Sequence, residues 1–269
     1  MEKRKRPVGH EAGRGEEKSQ RKPRPQKTMP EMYPPESNTL PEDVLVGRNA
    51  VTEALKSGRA VNRLLVAEGD GQGSIREIVR MARGYRHQGV LAYTSPVDYT
   101  SLDEILAAAR AKGDAPFLLL LDELEDPHNL GAILRTADAV GVDGVLIPRR
   151  RSCPLSATVA KTSAGAVEYV PVARIGNVAQ TIRDLKEEGF WIVGADMDGT
   201  ADYFDADLTG ATVLVVGSEG RGISRLVRES CDVLVKIPML GKINSLNVSV
   251  AGAVLMYESL RQRQKKGNP

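Results

Sequence analysis

Phe117-Leu118-Leu119-Leu120-Leu121-Asp122-Glu123-Leu124-Glu125-Asp126-Pro127-His128-Asn129-Leu130-Gly131-Ala132-Ile133-Leu134-Arg135-Thr136-Ala137-Asp138 passes from an apolar run, through an acidic turn, into a helical pattern. An apolar run without polar alternation reads as a strand buried on both faces. The helix after it, Leu130–Val140, carries small and apolar residues suited to packing on such a sheet. The alternation continues toward the C-terminus. Val145–Ile147, Val170–Val172, Phe190–Val193 and Val213–Val216 read as strands, and Ser156–Ala166, Val178–Glu188, Ile223–Ser230 and Val248–Gln264 as helices. Apolar strands separated by helices predict an α/β fold with a doubly wound parallel sheet covered on both faces.

Upstream the pattern is weaker. Val61–Glu68 and Val90–Thr94 read as strands, Ile75–Gln88 and Leu102–Ala111 as helices, and Gly69-Asp70-Gly71-Gln72-Gly73 as a loop. Ala111-Lys112-Gly113-Asp114-Ala115-Pro116 then breaks the sequence, predicting a boundary between a small module over 43–112 and a larger one over 117–266. Residues 1–42 lack apolar periodicity and are interrupted by Pro23, Pro25, Pro30, Pro34, Pro35 and Pro41, so they read as a disordered tail. Residues 1–28 hold ten of the 37 Lys/Arg and four of the 35 Asp/Glu, leaving 27 basic and 31 acidic side chains, a net of −4, on the remainder. A polyanion bound by the folded part must therefore meet a local patch. For the tail two readings stay open: a basic arm adding affinity for nucleic acid, or a solubilising leader.

Several classes lose weight at once. Cys153 and Cys231 lie far apart and His10, His87 and His128 are scattered, so neither a disulfide scaffold nor a metal site is expected, and a cytoplasmic setting is the default. No apolar run is long enough for a membrane helix, and no apolar segment follows the basic start as a secretory signal would require. No G-x-G-x-x-G or G-x-x-x-x-G-K-[ST] follows a strand, and G-x-S-x-G is missing. A dinucleotide dehydrogenase, a P-loop enzyme and an α/β-hydrolase are thereby disfavoured.

Three polar clusters stand at strand ends. In the first, Asn129 suits a helix cap, which alone would account for it. Arg135 sits on an otherwise small, apolar helix and needs a partner: Asp138 one turn on, or a substrate phosphate or developing oxyanion. The second is Gly217-Ser218-Glu219-Gly220-Arg221-Gly222, after the strand Val213–Val216. Capping would account for Ser218 or Ser224 and solvation for Glu219 with Arg221, yet the glycines permit close backbone approach to a flat ligand. The third runs from Ile237-Pro238-Met239 to Asn244-Ser245-Leu246-Asn247-Val248-Ser249 at the mouth of the closing helix. One helix start needs one cap, so the other polar residues are surplus. Met239 by itself reads as core, and Ala251, Gly252 and Ala253 suggest close approach of this helix to a neighbour.

Together and in this order, the clusters resemble the three motifs of the SpoU (TrmH-like) branch of SPOUT RNA 2′-O-ribose methyltransferases: Asn129…Arg135, Gly217–Gly220 and Ile237–Ala251. The resemblance spans about residues 117–264. Residues 44–112 are similar to the small ribosomal-protein-like (L30e-like) α/β substrate-binding domain that precedes it in the 23S ribosomal RNA guanosine 2′-O-methyltransferase group. Asp126–Gly131, Ala160–Ala166 and Trp191–Gly194 extend the match toward that group. The resemblance implies a C-terminal trefoil knot, a homodimer, and S-adenosyl-L-methionine contacted at Gly217, Ile237, Leu246 and, more weakly, Met239. Glu123 stands where the family commonly has glycine.

The activity so implied is methylation of a ribose 2′-hydroxyl in 23S ribosomal RNA, without metal or membrane. A guanidinium holds its proton, so Arg135 is read as binding the target phosphate and stabilising charge on O2′, with Asn129, Glu219, Ser245 and Asn247 orienting it and the ribose. Competing readings are a transfer-RNA ribose methyltransferase of the same family, a non-catalytic RNA-binding ribosome-assembly factor, and a small-molecule-binding domain without RNA.

Overall fold

A computed structural model describes residues 40–67 and 72–267 of the chain. The tail up to residue 39 and the Gly69–Gly71 part of the expected loop lie outside these residues. Gln72 and Gly73 already belong to a helix.

The first half builds a three-stranded sheet from β1 (Val44–Val46), β2 (Val61–Val66) and β3 (Val90–Thr94), in the order β1-β3-β2. Its pairings are antiparallel. Helices α1 (Arg48–Lys56) and α2 (Gln72–Met81) flank it. α2 ends seven residues before the expected Gln88, because the chain turns through left-handed Arg83, Gly84 and Gln88. α3 (Leu102–Ala111) follows, started by a capping box between Ser101 and Glu104.

The second half alternates β4 (Phe117–Asp122), α4 (Pro127–Val140), β5 (Gly144–Pro148), α5 (Ala157–Thr162), β6 (Val172–Ile175), α6 (Val178–Glu187), β7 (Trp191–Ala195), β8 (Ala201–Asp202), β9 (Thr212–Gly217), α7 (Arg225–Ser230), β10 (Val233–Lys236) and α8 (Val248–Gly267). The seven strands form one parallel sheet, ordered β6-β5-β4-β9-β7-β10-β8. Alternate residues of each central strand enter opposite cores. Leu119, Leu121, Leu214 and Val216 pack with α4 and α8, whereas Leu118, Leu120, Val213 and Val215 pack with α3, α6 and α7. This two-sided burial explains why the strands carry no polar alternation. The expected single helix Ser156–Ala166 is instead α5 plus a short turn over Ala166–Glu168, separated at left-handed Ala164 and Gly165.

Leu45, Val51, Ala54 and Ala92 of the first half share a core with Leu130, Ile133 and Val159 of the second. Polar contacts reinforce this. Arg59 donates to Glu168 at 2.8 Å, both side chains being nearly buried, and the Tyr169 hydroxyl donates to Glu53 at 2.6 Å. Lys161 places its ammonium 4.4 Å from the centre of the Tyr85 ring, and burial pulls its pKa down to about 8.

Two helical glycines differ in what they permit. A Cβ on Gly131 of α4 would lie 1.9 Å from Thr162 Oγ1 and 2.9 Å from the Ser163 backbone nitrogen, so glycine is required where α4 meets α5. A Cβ on Gly252 of α8 would find nothing closer than 3.9 Å, so the expected need for a small residue there is not met within this chain. Gly131→Ala should therefore lower stability by about 1–3 kcal/mol through overpacking. Gly252→Ala should raise it by up to about 1 kcal/mol. Urea unfolding of the two variants checks the pair; a stabilising Gly131→Ala would contradict the packing described.

Candidate active site

β4 and β9 lie side by side at the centre of the sheet, in register from Phe117 opposite Thr212 to Asp122 opposite Gly217. From β4 the chain lays down β5 and β6 on one side, then crosses to place β7 on the other. Such a reversal opens a crevice at the carboxyl ends of the strands, the usual ligand position in open α/β sheets. The turns after β4 and β9 both stand there.

After β4, Asp126 caps α4 by accepting the His128 N–H at 2.9 Å, and Pro127 occupies the first helical position. The cap is thus Asp126 and not Asn129, because an Asp-Pro start supplies both acceptor and pre-set backbone angle. Asn129 lies inside the helix, 8% exposed, with its amide engaged elsewhere. Its Nδ2 donates to Asp126 Oδ2 at 3.0 Å and to Glu219 Oε1, and its Oδ1 accepts from Asn247 Nδ2 at 3.1 Å. Both N–H bonds and the carbonyl are used, which fixes the amide's orientation.

After β9, Ser218 and Gly222 exchange backbone hydrogen bonds of 3.1 and 2.9 Å, closing a tip of Glu219-Gly220-Arg221. Gly220 and Gly222 take φ of +76° and +67°, and a Cβ on Gly217 would lie 2.0 Å from the Gly222 carbonyl carbon. A side chain at 217 would block the closure of the turn, and at 220 or 222 it would be strained by the left-handed backbone. Buried Asp122, the last residue of β4, accepts the Ser224 N–H at 2.7 Å and ties the exit of this turn to the neighbouring strand. Ser224 precedes α7 without a side-chain cap bond.

At the third segment, Asn247 Oδ1 accepts from Ser249 N at 3.0 Å, Ser249 Oγ at 2.6 Å and Val250 N at 3.4 Å. One asparagine therefore starts α8 and binds Asn129. Asn244 and Ser245 are exposed and make no hydrogen bond among the described residues. From Pro238 to Leu246 the backbone makes no hydrogen bond to other backbone among the described residues.

Asn129, Glu219 and Asn247 are thus brought together from positions 90 and 118 residues away. Arg135 follows Asn129 on α4 by six residues, about 9 Å along the helix axis. It is exposed and has no hydrogen bond or ion pair among the described residues; Asp138 does not engage it. Gly217 is buried and Ile237 packs partly against the core, while Met239 and Leu246 are 37% and 39% exposed, so Met239 is not a core residue. Asp122 and Asp126 are the site-building residues not singled out from sequence. The Asp-Pro pair was the available sign for Asp126; Asp122 reads as the polar end of a strand until β9 is set beside it.

Residues 116–257 match the model of the SpoU rRNA Methylase family, and residues 44–86 match RNA 2′-O ribose methyltransferase substrate binding. The chain is 45% identical over 243 residues to YacO of Bacillus subtilis, named for the TrmH family of tRNA/rRNA methyltransferases, covering 84% of this chain and 98% of that one. Among solved structures it is similar to the SpoU methyltransferase AviRb of Streptomyces viridochromogenes in complex with AdoMet, with a TM-score of 0.68 and 26% identity over 82% of this chain and 90% of that one. It is also similar to the A. aeolicus TrmH/SpoU tRNA modifying enzyme, with a TM-score of 0.52 and 32% identity, covering 62% of this chain and 86% of that one.

Replacing Asn129 by aspartate would set a third carboxylate against Asp126 and Glu219. Like charges raise a carboxyl's pKa in the folded state, so the folded state then binds more protons than the unfolded chain. The resulting loss is small near pH 4 and grows as pH rises through the folded-state pKa. The unfolding free energy of Asn129→Asp, read from urea titrations, should fall below the parent's by a margin that widens from pH 4.5 to 7.5, reaching about 1–3 kcal/mol. A margin independent of pH would mean that this amide does not separate two carboxylates.

Proposed function

The chain belongs to the SpoU (TrmH) family of RNA methyltransferases, and we propose that it methylates a ribose 2′-hydroxyl of a 23S ribosomal RNA guanosine with S-adenosyl-L-methionine as donor. The observation that carries this reading is the Asn129–Glu219–Asn247 network, which gathers all three motif segments at the sheet's crevice. The ribosomal choice is supported by the rRNA description matched over 116–257, together with the substrate-binding match over 44–86. On this reading residues 43–112 form the RNA-binding module, residues 117–266 the catalytic one, and residues 1–42 a tail that adds affinity.

The donor's fit rests on the two loops beside the network. The turn at Gly217 brings bare backbone to the crevice, and the 238–246 segment has backbone N–H and C=O groups unengaged by other backbone. Met239 and Leu246 add exposed apolar surface. Gly217, Ile237, Met239 and Leu246 would hold S-adenosyl-L-methionine, which supplies a methyl group on a sulfonium. Arg135, with no competing ion pair among the described residues, binds the phosphate of the target nucleotide and stabilises the negative charge that develops on O2′. Asn129 holds Glu219 and Asn247 in place, and these with Ser245 orient the ribose. No metal is required, and no cluster of metal-ligating side chains occurs among the described residues.

Further elements of the reading have their own support. The return of the chain from edge-side β10 to pack α8 on α4 and against β9 suits a knotted C-terminal segment. Leu240, Ile243, Val250 and Tyr257 are exposed apolar residues of that segment, where a second copy would pack in a homodimer. Burial pushes the thiols of Cys153 and Cys231 up to about 11 and about 12, which keeps both unreactive; a cytoplasmic setting is part of the reading through its ribosomal RNA substrate. No helix among the described residues is long and apolar enough to cross a membrane.

Transfer of labelled methyl to unmodified ribosomal RNA, followed by mapping of the modified ribose, tests the reading directly. Transfer RNA as sole acceptor would redirect it within the family, and stoichiometric RNA binding without turnover would favour the assembly-factor alternative. Arg135→Ala should lower the methylation rate by about 10²–10³ at saturating donor. Parental activity in that variant would remove Arg135 from the mechanism.

A further inference from the structure

β5 ends at Pro148, and three consecutive exposed arginines follow it: Arg149, Arg150 and Arg151. They stand at the carboxyl ends of adjacent strands, since β6, β5, β4 and β9 are neighbours in that order. The loop is held from the β6 side, where the Arg149 N–H donates to the Ile175 carbonyl and the Arg149 carbonyl accepts from Arg174 Nη2, both at 2.9 Å. On the β4 side stands Glu123. Its Oε1 accepts from Arg151 Nη1 at 2.8 Å, and its Oε2 lies 3.9 Å from Arg221 Nη1 on the tip of the β9 turn.

This arrangement is costly in backbone terms. Glu123 and Arg151 both take left-handed conformations, with φ of +58° and +55°, which non-glycine residues resist. The carboxylate at 123 nonetheless joins two guanidiniums from different loops. Both remain largely solvent-facing, at 72% and 82% side-chain exposure. Arg149 and Arg150 have no side-chain partner among the described residues. Four exposed guanidiniums thus share one contacting carboxylate, on a body that outside residues 1–28 carries a net of −4. The row also continues into the site, because Arg221 is two residues from Glu219, the partner of Asn129.

We propose that Arg149, Arg150, Arg151 and Arg221 bind backbone phosphates of the RNA substrate next to the target ribose, and that Glu123 occupies Arg151 and Arg221 as an internal anion which RNA displaces. The proposal rests on the RNA-methylating reading above. Guanidinium forks match phosphate oxygens in pairs, and a contact of this kind exchanges one anion for another without leaving a charge unpaired. Arg149 and Arg150, already free, provide the first hold. Glu123 makes the second hold conditional on a competing polyanion and so disfavours weak anionic ligands.

The full chain, Arg149→Gln/Arg150→Gln and Glu123→Gln are compared for binding to an unmodified ribosomal RNA transcript across a salt series. Loss of two phosphate contacts should reduce the slope of log affinity against log salt by about 1.4–1.8. The double variant should keep the parent's thermal midpoint and S-adenosyl-L-methionine affinity, since its side chains hold nothing within the chain. Glu123→Gln should bind RNA several-fold more tightly than the parent. An unchanged salt slope in the double variant, or weaker RNA binding by Glu123→Gln, would overturn the proposal. If the parent methylates RNA while the double variant keeps the parental slope, the arginine row is wrong and the functional reading stands. If the parent neither binds nor methylates any RNA, the functional reading falls and takes the row with it.

Discussion

The side-chain amide of Asn129 is the constraint on which the site depends. A buried amide left without partners costs about as much as several good surface contacts return, so it must be satisfied wherever it is placed. One partner, Asp126, is local, but the others come from segments remote in sequence, Glu219 on the β9 turn and Asn247 at the start of α8. Satisfying one residue of α4 therefore sets the position of two loops. Because Asn247 also accepts the first N–H groups of α8, the direction of that helix is coupled to the same amide. The Asp122 carboxylate adds an independent tie between β4 and the exit of the β9 turn. Two strands in register, the Asn129 network and the Asp122 tie hold the loops at the carboxyl ends of these strands in place without a ligand. Such preparation is what electrostatic stabilisation of a developing charge needs, since groups already oriented spend nothing on reorganisation at the moment of reaction.

Much of this frame was legible in the chain. The central strands of the second half were readable because they are buried on both faces, so that Leu118 and Leu119 both had to be apolar although they point into different cores. In the first half β2 and β3 were readable too, but the signal was weaker, because these short strands pair antiparallel and residues such as Arg63 and Leu64 of β2 are exposed. Helix starts were readable to within a few residues, yet the cap of α4 is Asp126, and the capping alternative for Asn129 falls away. Cap residues and site residues are the same chemical types, and only three-dimensional neighbours separate them. Asn247 resists the division altogether, because one oxygen caps and one amine reaches Asn129. Strand β10 and the two-residue β8 were not discernible, since they are short and their pairings with β7 and each other are set by tertiary contact.

Glycine positions show how local geometry and function become entangled. Gly217 invites interpretation as room left for a ligand, but the atoms a Cβ would strike belong to Gly222, so the turn alone demands it. That does not remove Gly217 from the site; it means the turn's shape comes first and any ligand exploits it. Gly131 is likewise explained by α5, whose Thr162 hydroxyl donates to the Thr158 carbonyl at 2.8 Å and, with its oxygen 3.2 Å from the Pro127 carbonyl, sits where a Cβ on Gly131 would be.

Glu123 is the converse case. Its φ of +58° is one that glycine adopts freely and other residues resist, so a glutamate there requires compensation from its side chain. The compensation is visible in the ion pairs to Arg151 and Arg221, but exposed pairs of this kind contribute little stability in water, and the arginines could be solvated without it. Stability alone is thus a weak account of a strained carboxylate between two guanidiniums at the rim of a crevice. Its effect on the field is larger than its effect on the fold, because it lowers the local positive potential at the end nearest Glu219 while leaving Arg149 and Arg150 unscreened by direct contact. A polyanion approaching this face meets its strongest attraction at the outer end of the row, and gains the inner end only by replacing a carboxylate already there. On the proposed reading the arginine row runs from the β5 loop to the β9 turn beside Glu219, and a bound RNA backbone would follow it to present its ribose to the Asn129 network.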